Sequence, residues 1–129
     1  MDTTLIHKRI YEIRGEKVIL DFDLAVLYDV ETKVLNQSVK RNIARFPVDF
    51  MFPLTQNEYN NLKSQFVTSS WGGSRKLPFA FTEHGVTMLA GILRSEKAIE
   101  MNLLIVRAFV ALRHISSKYK ELSEKLNLL

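Results

Sequence analysis

The chain has 129 residues, of which 47% are hydrophobic, and these include eight Phe and four Tyr. A chain of this length and composition can bury one hydrophobic core, which excludes a wholly disordered protein. It contains no cysteine, which excludes disulfides, a thiol nucleophile and a cysteine-ligated zinc site, and fits a reducing compartment. The net charge of +4 lies in the middle, since residues 32–82 hold seven basic and two acidic residues. That segment favours a polyanionic partner.

The sequence shows no signal peptide and no apolar run long enough to span a membrane. The first ten residues contain no apolar run of the kind found in signal peptides. The most apolar segment, residues 103–112, is too short to cross a bilayer and includes Arg107. We therefore expect a soluble, cytoplasmic protein that makes no contact with a membrane.

The first predicted element is a β-hairpin over residues 10–20. Two β-prone runs flank Arg14-Gly15-Glu16, and Gly15 supplies the positive φ that a tight turn needs. Asp21 or Asp23 then suits a helix N-cap. The two carboxylates could also bind a metal or act as acid and base, although no third ligand follows at helical spacing.

Residues 24–46 predict two short helices joined by a tight turn. Asp29 lies at the turn and is one of the few residues besides glycine that tolerate a left-handed conformation. Thr32 suits the N-cap of the second helix, which Pro47 ends.

The second helix is predicted to be amphipathic. Leu35, Val39, Ile43 and Phe46 fall on one side at about 100° per residue, which predicts a core stripe. The opposite face carries amides and cations, namely Lys33, Asn36, Gln37, Lys40 and Arg41. Such side chains can contact base edges and phosphates in a DNA major groove. A solvated amphipathic helix is the alternative.

The next segment predicts a strand, a helix and a second hairpin. Residues 50–52 predict a strand near a sheet edge, because prolines bound them. Thr55 and Glu58 have capping-box spacing and predict a helix to about residue 66. Residues 65–81 predict a wing-like hairpin with Arg75 and Lys76 placed to contact DNA backbone. A surface hairpin that packs only on itself is the alternative.

The end of the chain predicts two helices, capped by Thr82 and Ser95. Along the second helix apolar residues recur at 3-4 spacing from Ile105 to the last residue, which is typical of a coiled coil. The predicted dimer contacts are Leu112, Ile115, Tyr119, Leu122 and Leu126. A helix that folds back on its own domain, or frays, is the alternative. We expect a domain over residues 1–113 and a helical dimerisation segment over residues 114–129.

No catalytic or nucleotide-binding motif is present. The three histidines share no ligand spacing, and no zinc-protease, nucleophile-elbow or Gly-rich fingerprint occurs. We expect no enzyme activity, no metal and no cofactor. A nuclease with an all-carboxylate metal site would have to draw on Asp21, Asp23, Glu31 or Glu83.

Three segments closely resemble the KilA-N/Bro-N group, and within it the open-reading-frame-six N-terminal domain. They read IRGEKVILDFDLAVLYDVETKVLNQSVKRNIARFPVDFMFPLT, SQFVTSSWGGSRKLPFAFTEHGVTMLAGIL and SEKAIEMNLLIVRAFVALR, and together the resemblance spans residues 10–113. It implies a compact α+β fold, a DNA-binding module of phage or prophage type without enzyme activity, and in some relatives an antirepressor. It supplies no agreed base-contacting positions. Asp29 and His84 stand where we expect the family to have Gly and Gln.

The residues and the resemblance together predict an α+β domain with an N-terminal β-hairpin, a helix-turn-helix-like unit, a wing-like β-hairpin and a long C-terminal helix. The predicted function is sequence-specific binding of double-stranded DNA by a homodimer, with Asn36 and Gln37 on base edges. Phosphate or guanine contacts are assigned to Lys33, Lys40, Arg41, Arg45, Arg75 and Lys76. The alternatives are a protein-interaction module that binds a repressor protein and a metal-dependent nuclease.

Overall fold

The computed structural model describes residues 4–65 and 76–127. Within them the chain forms an α+β fold with one four-stranded antiparallel sheet of order β1-β2-β4-β3. The strands are β1 (Ile10–Ile13), β2 (Glu16–Leu20), β3 (Met51–Pro53) and β4 (Phe79–Phe81). The helices are α1 (Thr4–His7), α2 (Asp21–Tyr28), α3 (Thr32–Arg41), α4 (Gln56–Gln65), α5 (Glu83–Leu89) and α6 (Glu96–Asn127), with a 3-10 turn at Ile43–Arg45.

The N-terminal hairpin is confirmed. Ile13 pairs with Glu16, so the loop has two residues, Arg14 and Gly15. Both have positive φ, 57° and 75°, as the mirror-image turn of a two-residue hairpin requires. The turn therefore sets the register of β1 on β2.

The other strand pair joins distant parts of the chain. β3 lies at the edge of the sheet, as predicted, and pairs with β4, which pairs on its other side with β2. The glycine turn of the predicted wing, residues 71–74, lies outside the described residues. Residues 76–78 therefore lead directly into β4, a central strand of the sheet.

The two faces of the sheet cover two unequal cores. Along β2, Ile19 belongs to the larger core whereas Val18 and Leu20 belong to the smaller one, because successive side chains point to opposite faces. Helices α1, α2, α3, α5 and α6 supply the larger core. On the smaller core, α4 contributes Tyr59 and Leu62.

The turn between α2 and α3 has the geometry predicted for it. Asp29 adopts the left-handed conformation, with φ 59° and ψ 46°. The N–H groups of Asp29 and Val30 donate to the carbonyl oxygens of Val26 and Ala25, closing α2 in the pattern of a Schellman motif. The Asp29 carboxylate also accepts from Lys97 Nζ at 3.0 Å, which joins the turn to α6.

Three of the predicted helix caps are confirmed. Thr55 and Glu58 form a reciprocal capping box at the start of α4, with distances of 2.8 and 3.1 Å. The hydroxyl of Thr82 accepts from Gly85 N, and that of Ser95 accepts from Ala98 N. Two other predicted caps are wrong. The N-cap residues of α2 and α3 are Leu20 and Glu31, and neither makes a side-chain cap.

Helix α6 has a buried half and an exposed half. In the first half, Asn102 is 6% exposed and donates to Tyr28 Oη at 2.9 Å and to Val86 O at 2.7 Å. Residues 113–127 are all exposed. Within residues 4–65 and 76–127, no helix has the length and apolar character needed to span a bilayer.

Candidate nucleic-acid interface

Helix α3 is amphipathic, as its sequence predicts. Leu35 and Val39 are buried against the larger core. The cations and the longer amide of the opposite face, Lys33, Gln37, Lys40 and Arg41, are exposed. The prediction that Ile43 continues the core stripe is wrong. The α-helix ends at Arg41, so Ile43 lies in the 3-10 turn and is 56% exposed.

The polar face of α3 forms one wall of a groove of about 530 Å³. Four side chains of α3 line that wall, Lys33, Asn36, Gln37 and Lys40. The opposite side consists of residues 76–79, which lead into β4, and of Tyr59 from α4. Asp21 and Phe22, at the start of α2, also line the groove. The groove therefore combines apolar surface with lysines from two different segments.

Asp21 joins the two walls of this groove. Its carboxylate, in a residue only 4% exposed, accepts from Asn36 Nδ2 at 3.0 Å and from Phe79 N at 3.3 Å. It also accepts from Phe22 N at 2.7 Å. Burial raises the pKa of Asp21, and the hydrogen bonds from Asn36, Phe79 and Phe22 oppose that rise. The carboxylate therefore fixes α3 relative to β4.

Asn36 is consequently less free than Gln37. It is half-buried, its amide nitrogen is engaged by Asp21, and its Oδ1 is buried with no hydrogen-bond partner among the described residues. A buried acceptor without a partner is unfavourable, so a ligand that donated a hydrogen bond to Asn36 Oδ1 would gain binding free energy. Gln37, one residue later, extends from the exposed face.

Asp23, two residues beyond Asp21, makes an ion pair of its own. Its Oδ1 lies 2.5 Å from Arg9 Nη1. Burial raises the pKa of Asp23 to about 6, and Asp21 adds to that rise, although Arg9 opposes it. No group of three or more His, Cys, Asp or Glu that could hold a metal occurs in residues 4–65 and 76–127.

The structure brings five of the eight predicted DNA contacts together at the groove. They are Lys33, Asn36, Gln37, Lys40 and Lys76. Arg41 and Arg45 are exposed but do not line it, and the Arg45 guanidinium lies near Gly91. Arg75 lies outside the described residues. His84 stacks on Phe50 with ring centroids 5.3 Å apart, as a residue in the first turn of α5.

Sequence reasoning missed the other side of the groove. Tyr59, Phe79 and the part played by Asp21 depend on contacts between residues that are 15 to 58 positions apart. No local pattern encodes such contacts. The only signal was compositional, because Tyr59 and Phe79 fall within the basic segment.

Comparison with known proteins identifies a family to which most of the chain is similar. A family model described as the ORF6N domain matches residues 8–92. This range includes every residue that lines the groove and ends before α6. Searches of curated proteins and of solved structures found no match.

Proposed function

Since the chain belongs to the ORF6N domain family, related to the phage antirepressor type, and is thus a phage-type regulatory module, we propose that it binds double-stranded DNA through the groove beside α3. The observation that carries the proposal is the placement of Lys33 and Lys40 on one wall and Lys76 on the other. In this proposal α3 enters the major groove and Lys76 contacts flanking backbone.

The charge of the groove supports contact with phosphate. Its lining contains three lysines and one acid, and that acid, Asp21, is 4% exposed and already accepts three hydrogen bonds. The surface that meets solvent is therefore cationic. Lysines that neutralise phosphates release counterions, so binding should weaken steeply as the salt concentration rises. Arg41 and Arg45 are exposed outside the groove and are assigned further phosphate contacts in the proposal. The same role is assigned to Arg75 from the sequence alone, since it lies outside the described residues.

The amides of α3 divide into two roles. Gln37 is exposed and can pair with an adenine edge without breaking a side-chain hydrogen bond seen in residues 4–65 and 76–127. Asn36 would have to exchange its hydrogen bond to Asp21 for one to a base, or accept from a base at its unpaired Oδ1. We therefore assign direct base reading first to Gln37, with Asn36 as the second base contact.

Fluorescence anisotropy on duplexes across a salt series tests the proposal. Lys40→Ala should weaken binding to every duplex and lower the slope of log affinity against log salt by about one unit. Lys120→Ala is the matched control, since Lys120 is an exposed lysine on α6 that does not line the groove. Binding that ignores salt, or equal effects of the two variants, contradicts the electrostatic account.

Selection from random duplexes tests sequence reading. Gln37→Ala should cost about 1–3 kcal/mol on the preferred site and relax the preference there. Its thermal unfolding midpoint should match that of the unsubstituted chain. Asn36→Ala should weaken binding and also lower the unfolding midpoint, because it leaves Asp21 with one donor fewer. The absence of any enriched motif would leave only non-specific attraction and would refute sequence-specific reading.

A second candidate function is a protein-interaction module that binds a repressor protein. Ile99 and Leu103 favour it, because they are 50% and 52% exposed on the part of α6 that packs on the domain. This function predicts a protein complex that survives nuclease treatment and only weak attraction to DNA. A pull-down with and without nuclease separates the two functions. Incubating plasmid with Mg²⁺ or Mn²⁺ tests the nuclease alternative, and we expect no nicks.

A further inference from the structure

The second half of α6 carries an apolar stripe with no cover in the described structure. Ile115, Tyr119, Leu122 and Leu126 are 61%, 74%, 58% and 62% exposed. We call these four residues the seam. They lie on residues 113–127, a helical rod of about 22 Å at 1.5 Å per residue. Helices of this length are marginal in water without packing, so the seam favours a partner.

The seam continues the stripe by which α6 packs on its own domain. Ala98, Met101, Ile105 and Ala108 are at most 6% exposed and follow the same alternation of three and four residues. Such a repeat drifts only about 20° per heptad around a straight helix. The domain and the seam therefore lie on the same side of α6, one after the other along its axis.

We propose that a second copy of this chain covers the seam and that the two α6 helices run antiparallel. Helices packed through such a seam lie about 8–10 Å apart. In a parallel pair both domains would lie between the helices at the same end, where 8–10 Å leaves no room for them. In an antiparallel pair the two domains lie at opposite ends of the paired segment, so they do not meet between the helices.

The spacing of the seam suits a second copy in this orientation. Its intervals are four, three and four, which read the same in both directions. In the antiparallel pair Tyr119 packs on the partner's Leu122, and Ile115 packs on the partner's Leu126. These contacts repeat about the two-fold axis, giving four layers from one self-complementary surface. The pairing thus covers all four exposed side chains in each copy.

The charges beside the seam oppose the antiparallel pair weakly and predict how it responds to salt. Lys118 and Lys125 border the seam, and the antiparallel pair brings Lys118 near the partner's Lys125. Glu121 lies one helical turn from each lysine and partly offsets them. Exposed charge pairs contribute little, so the steric exclusion of the parallel pair decides the orientation. Salt screens this repulsion, and the dimer should therefore tighten as the salt concentration rises.

The orientation also sets the separation of the two domains along the rod. The buried Ile105 residues of the two copies would lie about 45 Å apart along the rod, at 1.5 Å per residue. This distance exceeds one turn of DNA, about 34–36 Å.

Sedimentation velocity of the full chain without DNA, across a concentration series, tests the partner. We expect a dimer that Leu122→Lys disrupts and that Lys120→Ala leaves unchanged. A chain that stays monomeric at every concentration overturns the proposal. So does a dimer that Leu122→Lys leaves intact, since a different surface would then hold it together. Neither result bears on DNA binding, which is measured separately.

The absence of cysteine makes the orientation measurable, because each introduced cysteine is the only one in the chain. We expect a mixture of Ile115→Cys and Leu126→Cys chains to form a disulfide between the two variants on oxidation. Neither variant alone should form one. A disulfide-linked dimer of the Leu126→Cys chain with itself would overturn the antiparallel orientation.

Discussion

Asp23 should make the protein more stable at mildly acidic pH than at neutral pH. Its pKa is about 6 in the folded chain, against an ordinary value of 3.8, because burial disfavours the charged carboxylate more than Arg9 favours it. The folded state therefore binds a proton more readily than the unfolded state between these two values. Unfolding free energy should rise as pH falls through about 6, and this gain levels off near 3.8.

The size of the effect follows from the same two values. The full shift corresponds to about 3 kcal/mol, and the part gained between pH 7 and pH 5 is about 1.3 kcal/mol. Urea denaturation at the two pH values measures it. With a slope of about 1–3 kcal/mol per molar urea, the midpoint should be higher at pH 5 by roughly 0.4–1.3 M.

Asp23→Asn isolates the residue responsible. The variant keeps the side-chain shape but cannot ionise, so the midpoint gain from pH 7 to pH 5 should shrink. The part due to Asp21 should persist, because burial raises the pKa of that carboxyl too. Asp49→Asn, at an exposed carboxylate, is the control and should keep the full gain. Equal pH dependence in the Asp23→Asn variant and the unsubstituted chain would refute the reasoning.

Three further substitutions test the packing that positions the groove. Gly85→Ala should lower the unfolding free energy by about 1–3 kcal/mol or more in a denaturation series, since its Cβ would lie 2.3 Å from the backbone oxygen of Phe50. An undiminished midpoint would show that α5 can move away. Glu58→Gln should cost about 1 kcal/mol, the scale of a surface ion pair with Arg14, which lowers the pKa of Glu58 to about 2. That stabilisation should be present above pH 4.5 and be lost as pH falls through about 2, so a loss already complete at pH 5 would contradict it. Asn102→Ala should cost about 1–3 kcal/mol in thermal unfolding, because two buried partners lose their donor. An unchanged midpoint would mean that those partners find other hydrogen bonds.

Local chemistry made part of this fold predictable. The hairpin turn needs positive φ at Arg14 and Gly15, and the helix starts at Thr55, Thr82 and Ser95 have hydroxyls at the position where an unpaired backbone N–H needs an acceptor. These signals act over two to four residues. The sequence pattern also showed which face of α3 is buried, because its 3.6-residue period matches Leu35 and Val39.

Long-range contacts explain what could not be predicted. The placement of β4 between β2 and β3 depends on pairing across the whole sheet. The two acids at the start of α2 fit an N-cap pattern. Asp21 instead accepts hydrogen bonds from Asn36 and Phe79, which are distant in sequence, and so joins α3 to β4. The spacing of Ile43 predicts a core position, but it fits a longer helix than the one that forms.

The unequal cores on the two faces of the sheet have a consequence for how the groove responds to a ligand. α4, which supplies Tyr59 to the groove, packs on the smaller core, whereas α3 packs on the larger one. The core beneath α4 is the smaller of the two, so the amides of α4 should exchange with deuterium through local opening at lower free energy than those of α3. The α3 side of the groove should therefore keep its position when a ligand binds, whereas the α4 side can adjust. Slower deuterium exchange of the α4 amides in the presence of a duplex would show that binding stabilises α4.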